Sequence, residues 1–460
     1  MHDVDVIVIG GGTGNSVAEA AAEAGLETVL VEKGPLGGTC LNRGCNPSKM
    51  LIHRATILDT IDSAGQFGID ATVENVDYEG IVQSVNSTLA DIAEGMERGF
   101  REQDHLTLVK EHARFVDDRT IEAGGETYRG DRILIATGSR PVIPPIAGLE
   151  GVSFLTSDDA IALEEQPESL VIVGGGYIGA ELGYFFELMG TEVTIMHSGE
   201  ILLDREDREI ATEFTGIAEE RHTVLTGYRG TAVEPTESGV AVHAESEAGE
   251  ETTVSGTDLL LAVGRRPNTD DLGLEHTAIE TDTHGFIQTN ESLETTVENV
   301  WAQGDVAGKF QFKHAGDFET RHAIDAIVHD VREPVDYIAM PHAIFAEPQI
   351  GGVGATQQAL ESEGVDFVVG RARFEETAMG RAKGLTGLAK VLAAPDGEIL
   401  GVHVLGHEAS TLIHEAVIAM RNGNGTVWDV AEAIHAHPTL SKVMEAAFRD
   451  AAASVDERSI

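Results

Sequence analysis

The chain opens on an apolar run, Val4 to Ile9, broken only by Asp5, and such a run reads as a buried strand. It passes into Gly10-Gly11-Gly12-Thr13-Gly14-Asn15, then into an alanine-rich stretch that predicts a helix from about Ser16 to Ala24. A second apolar run, Thr28 to Val31, ends at Glu32. The same order returns further on: Leu170 to Val173, Gly174-Gly175-Gly176-Tyr177-Ile178-Gly179, a helix over Ala180 to Met189, and a strand over Glu192 to Met196. Between the two, residues 51–100 read as helical, with apolar positions at helical spacing from Ile81 to Ile92. Arg132 to Ile135 reads as a strand running into Ala136-Thr137-Gly138, and Leu260 to Val263 running into Gly264 mirrors it. From about Pro341, strands alternate with amphipathic helices and no glycine fingerprint appears.

Strand, glycine turn, helix, strand and an acid about 20 residues on is the pattern of a dinucleotide-binding unit. Gly10 permits the turn, Gly12 lets the backbone approach a pyrophosphate, and the helix N-terminus faces that anion. Glu32 is placed to take ribose hydroxyls. Asn15 follows Gly14 at the third fingerprint position, so helix and strand are expected to pack less closely there. In the second unit Gly174, Gly176 and Gly179 all match. His197 and Ser198 stand where such a unit usually carries an acid, and without that acid a 2′-phosphate is not repelled. Arg205 is near enough in sequence to reach a 2′-phosphate, although it could equally pair with the acids around it. The reading favours NADPH over NADH. Two units imply two bound dinucleotides and an α/β fold with two Rossmann-like domains.

A chain of 460 residues, 42% hydrophobic, holds two to four domains with real cores. The formal charge of −47 comes from 78 acids scattered along the chain against only eight lysines. That charge excludes a nucleic-acid partner, because phosphates would be repelled. The apolar runs exclude a disordered acidic protein. The surface reads as adapted to high salt, where screening makes such charge tolerable, and so predicts a halophilic source. The first apolar run is short and flanked by Asp3 and Asp5, unlike a signal peptide, and no run reaches a membrane span. A cytoplasmic location with no membrane partner is expected.

The only two cysteines, Cys40 and Cys45, lie five residues apart. A close pair is more often catalytic or metal-binding than structural. Structural zinc wants four ligands and there is no second pair, so no metal is expected. On a regular helix these positions would point about 140° apart and lie roughly 8 Å from one another. A disulfide needs Cα atoms within about 7 Å, so bonding demands a distorted turn, which Gly44 can supply. Lys49 shares a helix face with Cys45 and would favour its thiolate.

The stretch Gly37-Gly38-Thr39-Cys40-Leu41-Asn42-Arg43-Gly44-Cys45-Asn46-Pro47-Ser48-Lys49 resembles the redox motif of the flavin-dependent disulfide reductases, which include glutathione reductase, dihydrolipoamide dehydrogenase, mercuric reductase and mycothione reductase. Asn46 departs from it, since the family has an aliphatic residue there. The resemblance runs from about residue 4 to residue 450. It divides the chain into an FAD-binding domain (1–147 and, as its second part, 268–336), an NAD(P)-binding domain (148–267) and a C-terminal α+β dimerisation domain (337–460). Val300-Trp301-Ala302-Gln303-Gly304-Asp305 resembles the second flavin motif, in which the Asp holds the ribityl chain, and Lys313-His314-Ala315 follows where the family contacts the flavin ring. The resemblance adds Lys33, Gly38, Thr39 and Ala113 to the FAD contacts, and Gly264 and Arg266 to those of the coenzyme.

It further implies a homodimer in which Cys45 lies against the flavin as a charge-transfer thiolate and Cys40 attacks the substrate disulfide. Ala436-His437-Pro438-Thr439-Leu440-Ser441 matches the segment whose histidine, here His437, protonates the departing thiol across the dimer interface. Lys442 stands where the family has the glutamate that orients this histidine, and Glu445 is a candidate replacement. Lys49 and Glu181 are implied to pair beside the flavin, and Tyr177 to cover the nicotinamide pocket and swing away. The sequence ends without the extra cysteine pair of relay-type relatives, which leaves small disulfides as substrates. Details similar to mycothione reductase, with the high-salt surface, point to bis-γ-glutamylcystine; dihydrolipoamide dehydrogenase and a mycothione- or glutathione-type reductase are the alternatives.

Overall fold

The computed structural model describes residues 1–455. The last five residues of the cysteine-free C-terminus lie outside the described residues. Strand β1 (His2–Ile9) sits between β2 (Thr28–Val31) and β6 (Glu126–Ile135), parallel to both. Its apolar run is covered on both faces, which is why it does not alternate. β3 (Leu106–Val109) extends the sheet beyond β2. β4 (Arg114–Asp117) and β5 (Thr120–Ala123) continue it antiparallel from β6. β16 (Val300–Ala302) returns from far along the chain to pair with β6.

Helix α1 (Gly14–Glu23) starts two residues earlier than its pattern suggested. Helices α2 (Gly38–Arg43), α3 (Cys45–Asp62) and α4 (Tyr78–Glu102) form the helical excursion. The helix expected across 51–100 is broken. α3 ends at Asp62, a 3-10 turn follows over Ser63–Phe67, and Gly68 (φ 75°) redirects the chain. Residues 69–77 then run without helix, because Ile69 and Val73 face solvent and no apolar stripe holds them down. α4 restarts at Asp77, whose carboxylate accepts from Gly80 N at 3.0 Å, and buries Val82, Val85, Leu89 and Ala93 at helical spacing.

The second unit has one parallel sheet, β10 (Thr223–Thr226), β9 (Glu192–His197), β8 (Ser169–Val173) and β14 (Asp258–Leu261) in that order, and one antiparallel sheet, β11 (Tyr228–Thr236), β12 (Gly239–Ser246) and β13 (Glu251–Gly256). One short helix, α5 (Ser157–Ala160), precedes it. α6 (Tyr177–Leu188) starts directly after Gly176, and α7 (Arg208–Arg221) follows β9. An antiparallel pair, β7 (Ser139–Pro141) with β15 (Arg265–Pro267), ties the exit of one unit to the exit of the other. α8 (Lys313–His329) leads toward the last domain.

That domain is a five-stranded antiparallel sheet built from β17 (Pro341–Ile344), β18 (Gln349–Gly354), β21 (Ile399–Gly406), β20 (Leu388–Ala393) and β19 (Val368–Arg373). The C-terminal helix Lys442–Ala453 buries Val443, Met444, Ala447, Phe448 and Ala451 in the same cluster as Val391, Val402 and Val404. Lys390 on β20 is 1% exposed and bonds Asp207 at 2.8 Å and Glu209 at 3.0 Å, which fixes this sheet against the second unit. Among the described residues no helix is long and apolar enough to cross a membrane.

Candidate active site

A continuous cavity of about 2410 Å³ runs between the two units and the antiparallel sheet. In the first unit Gly10 has φ 113°, and a Cβ there would sit 2.2 Å from Ala136 O. A Cβ on Gly38 (φ 60°) would sit 2.7 Å from the Gly12 Cα. The backbones of the turn and of the redox segment therefore close on each other, and the cradle is open only because both positions are glycine. Glu32 accepts hydrogen bonds from Gly11 N and Gly34 N, both at 2.6 Å, so it braces the cradle. Each of its oxygens keeps a second acceptor site for a ribose. Lys33, Thr39, Ala113, Thr137, Gly138 and Asp305 line the same cavity. Asp305 accepts from the Ser139 hydroxyl, and Arg265 Nε lies 4.0 Å from it. Gln303 Oε1 is buried at the cavity wall without a partner. A glycine cradle, an acid at the ribose position and an orphaned acceptor together fit a bound FAD.

Asn15 was expected to loosen helix α1 against β1. The close approach instead falls one residue earlier, at Gly14, whose Cβ would meet Val8 Cγ1 at 2.8 Å and Ala136 Cβ at 3.2 Å. Gly14 and Asn15 do not line the cavity; Asn15 is buried with both amide atoms unpartnered. Gly179 likewise serves packing: its Cβ would sit 2.0 Å from Gly174 O. Ala315 is fully buried on the inner face of α8, whereas Lys313 and His314 face the cavity. Lys313 pairs with Asp317, and His314 Nε2 lies 2.7 Å from Pro341 O. Arg266 also turns away, because strand alternation sends it outward to Asp270 at 3.0 Å while Arg265 points in to Ser139.

In the second unit Gly174 (φ 119°) approaches Ala262 O, and Gly176 leaves open space before Tyr177, Ile178 and Gly264 on the cavity wall. His197 Nδ1 accepts from Gly175 N at 3.2 Å, the position that Glu32 fills in the first unit. Its Nε2 lies 3.4 Å from Asp204 Oδ2. Ser198 and Arg205 are exposed at the cavity, and the neighbouring Arg208 takes Glu200 at 3.9 Å.

Cys40 ends up on α2 and Cys45 at the first position of α3, with Gly44 between the helices. A Cβ on Gly44 would meet Thr39 O at 2.9 Å, so the tight corner needs glycine. Both thiols are free. A hydrogen bond from Cys40 pulls the Cys45 thiol down to about 6; the protein atoms crowded around this solvent-reachable sulfur oppose the shift by partial desolvation, and the Lys49 charge assists it. Cys40 moves the other way, raised by its bond to Cys45 and by burial. At neutral pH Cys45 is the thiolate and Cys40 the proton donor. Cys40 Sγ also lies 3.7 Å from Asn46 Oδ1, which gives the unusual residue a contact. Lys49 Nζ bonds Glu181 Oε2 at 2.5 Å and sits 4.8 Å over the Phe345 ring.

His437 is exposed and does not line this cavity, so one chain alone does not bring it to the cysteines. Glu445 is not its orienting acid: Glu445 is buried, binds Lys442 and Arg449, and lies 3.9 Å from His435 Nδ1. His435, absent from the sequence reading, is the more covered histidine of the pair, its side chain 7% exposed and its Nε2 2.9 Å from Glu415. Ile434 beside it is fully exposed. Sequence reasoning also missed Glu319, which holds Gly304 N and the Tyr337 hydroxyl, both at 2.6 Å. A buried acid at helical spacing gives no sequence signal among 78 acids.

Residues 4–326 match the family described as pyridine nucleotide-disulphide oxidoreductase, and residues 340–448 match its dimerisation domain. Dihydrolipoyl dehydrogenase of Bacillus subtilis (strain 168) is 37% identical over 458 residues, covering 97% of this chain and 96% of that one. Dihydrolipoyl dehydrogenase 2 of Haloarcula marismortui is 36% identical, covering 96% and 95%. Among solved structures, the Cu(II) complex of the HOCl-induced flavoprotein disulfide reductase RclA from Escherichia coli superposes with a TM-score of 0.88 at 26% identity, covering 98% and 99%. With both family models matched, over residues 4–326 and 340–448, and the glycine cradles in place, the chain belongs to the pyridine nucleotide-disulphide oxidoreductase family, as an FAD-dependent enzyme built to dimerise.

Proposed function

We propose that the protein is an NADPH-dependent reductase of a low-molecular-weight disulfide that works through Cys40 and Cys45. The observation that carries the coenzyme assignment is His197 occupying, by the same backbone hydrogen bond, the place of Glu32 in the first unit. An imidazole there brings no negative charge to repel a 2′-phosphate, and exposed Arg205 supplies a cation.

In the dithiol state Cys40, once deprotonated, attacks one sulfur of the substrate, and the substrate S–S bond breaks. The departing thiolate takes a proton. Cys45 Sγ then attacks the Cys40 sulfur of the mixed disulfide, releasing the second thiol and closing the Cys40–Cys45 bond. NADPH and one proton restore the dithiol, so one disulfide becomes two thiols for each NADPH oxidised. FAD, which the Gly10–Gly12 cradle and Glu32 would hold, would supply the relay of the electron pair between nicotinamide and Cys45. Because Cys40 holds its proton tightly, it is a poor nucleophile unaided, and His437 of the partner subunit is the acid and base assigned to it. Lys49, paired with Glu181, holds negative charge on Cys45.

Bis-γ-glutamylcystine is the first substrate to test, with mycothiol and glutathione disulfides beside it. A second reading, dihydrolipoamide dehydrogenase, is favoured by the names of the relatives. Initial rates at molar salt with a panel of disulfides and both coenzymes decide between them. NADPH with a small peptide disulfide is expected to give the highest kcat/KM; NADH with lipoamide winning tenfold would replace this reading by the second. The same assay repeated in dilute buffer should lose activity, since a charge of −47 is unscreened there.

A further inference from the structure

Tyr177 is the first residue of α6 and faces the cavity beside Lys49 and Glu181. Its surroundings come from three other elements. Its hydroxyl donates to Glu206 Oε1, from the loop before α7. The other oxygen, Glu206 Oε2, lies 2.7 Å from His342 Nε2 on β17. The His342 ring stacks on Tyr177 with centroids 6.2 Å apart, and Phe312 stacks on Tyr177 at 6.4 Å, all within 14° of parallel. Glu206 itself is 1% exposed and does not move freely. Its N–H donates to Leu203 O at 2.9 Å, its carbonyl accepts from Gln358 Nε2 at 2.7 Å, and the next residue, Asp207, is held by buried Lys390.

We propose that Glu206, oriented by His342, is a positioning residue that latches Tyr177 over the nicotinamide approach, so that coenzyme binding must first break this hydrogen bond. The proposal rests on the reading above, in which nicotinamide arrives on the Tyr177 side. The physical ground is an asymmetry. When Tyr177 stays, both carboxylate oxygens of a buried acid have a donor; when it swings out, one is left without. The ring also leaves its contacts with Phe312 and His342, which are themselves 6.2 Å apart. The closed state is therefore favoured, and the apparent affinity for coenzyme is reduced by the fraction of molecules that are open. Tyr177 is itself kept protonated, since burial and the Glu206 charge both raise its hydroxyl pKa. It thus remains a donor across the working pH range.

The test is an equilibrium titration of the FAD-loaded dimer with oxidised NADP and, separately, oxidised NAD, followed by calorimetry. Tyr177→Phe keeps the ring and removes the donor, and should tighten Kd about tenfold. Glu206→Gln keeps an acceptor but removes its charge, and should tighten Kd roughly threefold. The double variant should match Tyr177→Phe alone, because Glu206 acts only through the hydroxyl. A merely structural role for Glu206 would leave the two effects additive, and that result overturns the proposal. So does an unchanged or weaker Kd in Tyr177→Phe, which decides the matter alone should Glu206→Gln not fold. Wild-type protein that binds neither coenzyme would overturn the functional reading and the latch with it; wild-type binding with unchanged variants would overturn the latch only.

Discussion

The two dinucleotide units are one scaffold used twice, and the comparison isolates where their chemistries part. In each, the first glycine has φ near 115° and sits against a carbonyl, Ala136 O in one unit and Ala262 O in the other. The carbonyl of the middle glycine accepts an N–H from the loop after the second strand: Gly37 N to Gly11 O at 2.7 Å, Leu203 N to Gly175 O at 2.9 Å. A fully buried leucine, Leu36 or Leu202, fills the same space beside it. Beyond that anchor the loops diverge. Three residues past Gly37 stands Cys40; three past Leu203 stands Glu206. At the end of the second strand, Glu32 faces His197 as its counterpart. The backbone fixes where a dinucleotide lies, and a few side chains at equivalent places decide which one and what is done with it.

The two units differ most at the cysteines. Cys40→Ser and Cys45→Ser should each lower disulfide turnover by ~10⁴-fold or more, measured as coenzyme oxidation, because only the first unit carries a redox pair. Next in size is the counterpart exchange. His197→Glu makes the second unit resemble the first and places a negative charge beside a 2′-phosphate. The ratio of kcat/KM for NADPH over NADH should fall roughly 10- to 100-fold. An unaltered ratio would detach coenzyme choice from this residue.

Both units press a helix on a strand through a glycine, but the obstacle differs: backbone Gly174 O for Gly179, side chain Val8 Cγ1 for Gly14. A side chain can yield and a carbonyl in the turn cannot. Gly179→Ala should therefore destabilise toward the upper end of ~1–3 kcal/mol and Gly14→Ala toward the lower, read as the order of their Tm values. The smallest expected effect is on titration. The Cys45 thiolate forms as pH rises through about 6. Absorbance from thiolate beside oxidised flavin should grow over that range, and Lys49→Met, which removes a stabilising cation, should move its midpoint upward.

Much of this was legible in the sequence because glycine fingerprints and a lone cysteine pair are local. Turn, helix and acid lie within about 20 residues, so periodicity placed both units and put Lys49 on the face of Cys45. What was not legible depends on distant contacts. Glu206 is one of five charged residues from Asp204 to Arg208, and nothing local marks it as the one that meets His342, 136 residues away. Gly14 could not be separated from Asn15 as the close-packed residue without knowing where Val8 and Ala136 stand. Arg265 and Arg266 are chemically alike, and only the alternation of β15 sends one inward and the other to Asp270. The helix break at residues 63–77 and the covered side chain of His435 also followed from exposure in the folded chain, not from propensity.

The most direct test of the central assignment is the long-wavelength absorbance of the FAD-loaded dimer at pH 8, recorded without reductant for the two serine variants. Cys40→Ser leaves the Cys45 thiolate beside oxidised flavin with a hydroxyl still able to donate to it, and should show the band. Cys45→Ser should show none. A band in Cys45→Ser and its absence in Cys40→Ser would contradict the account, since the two sulfurs would then hold each other's roles.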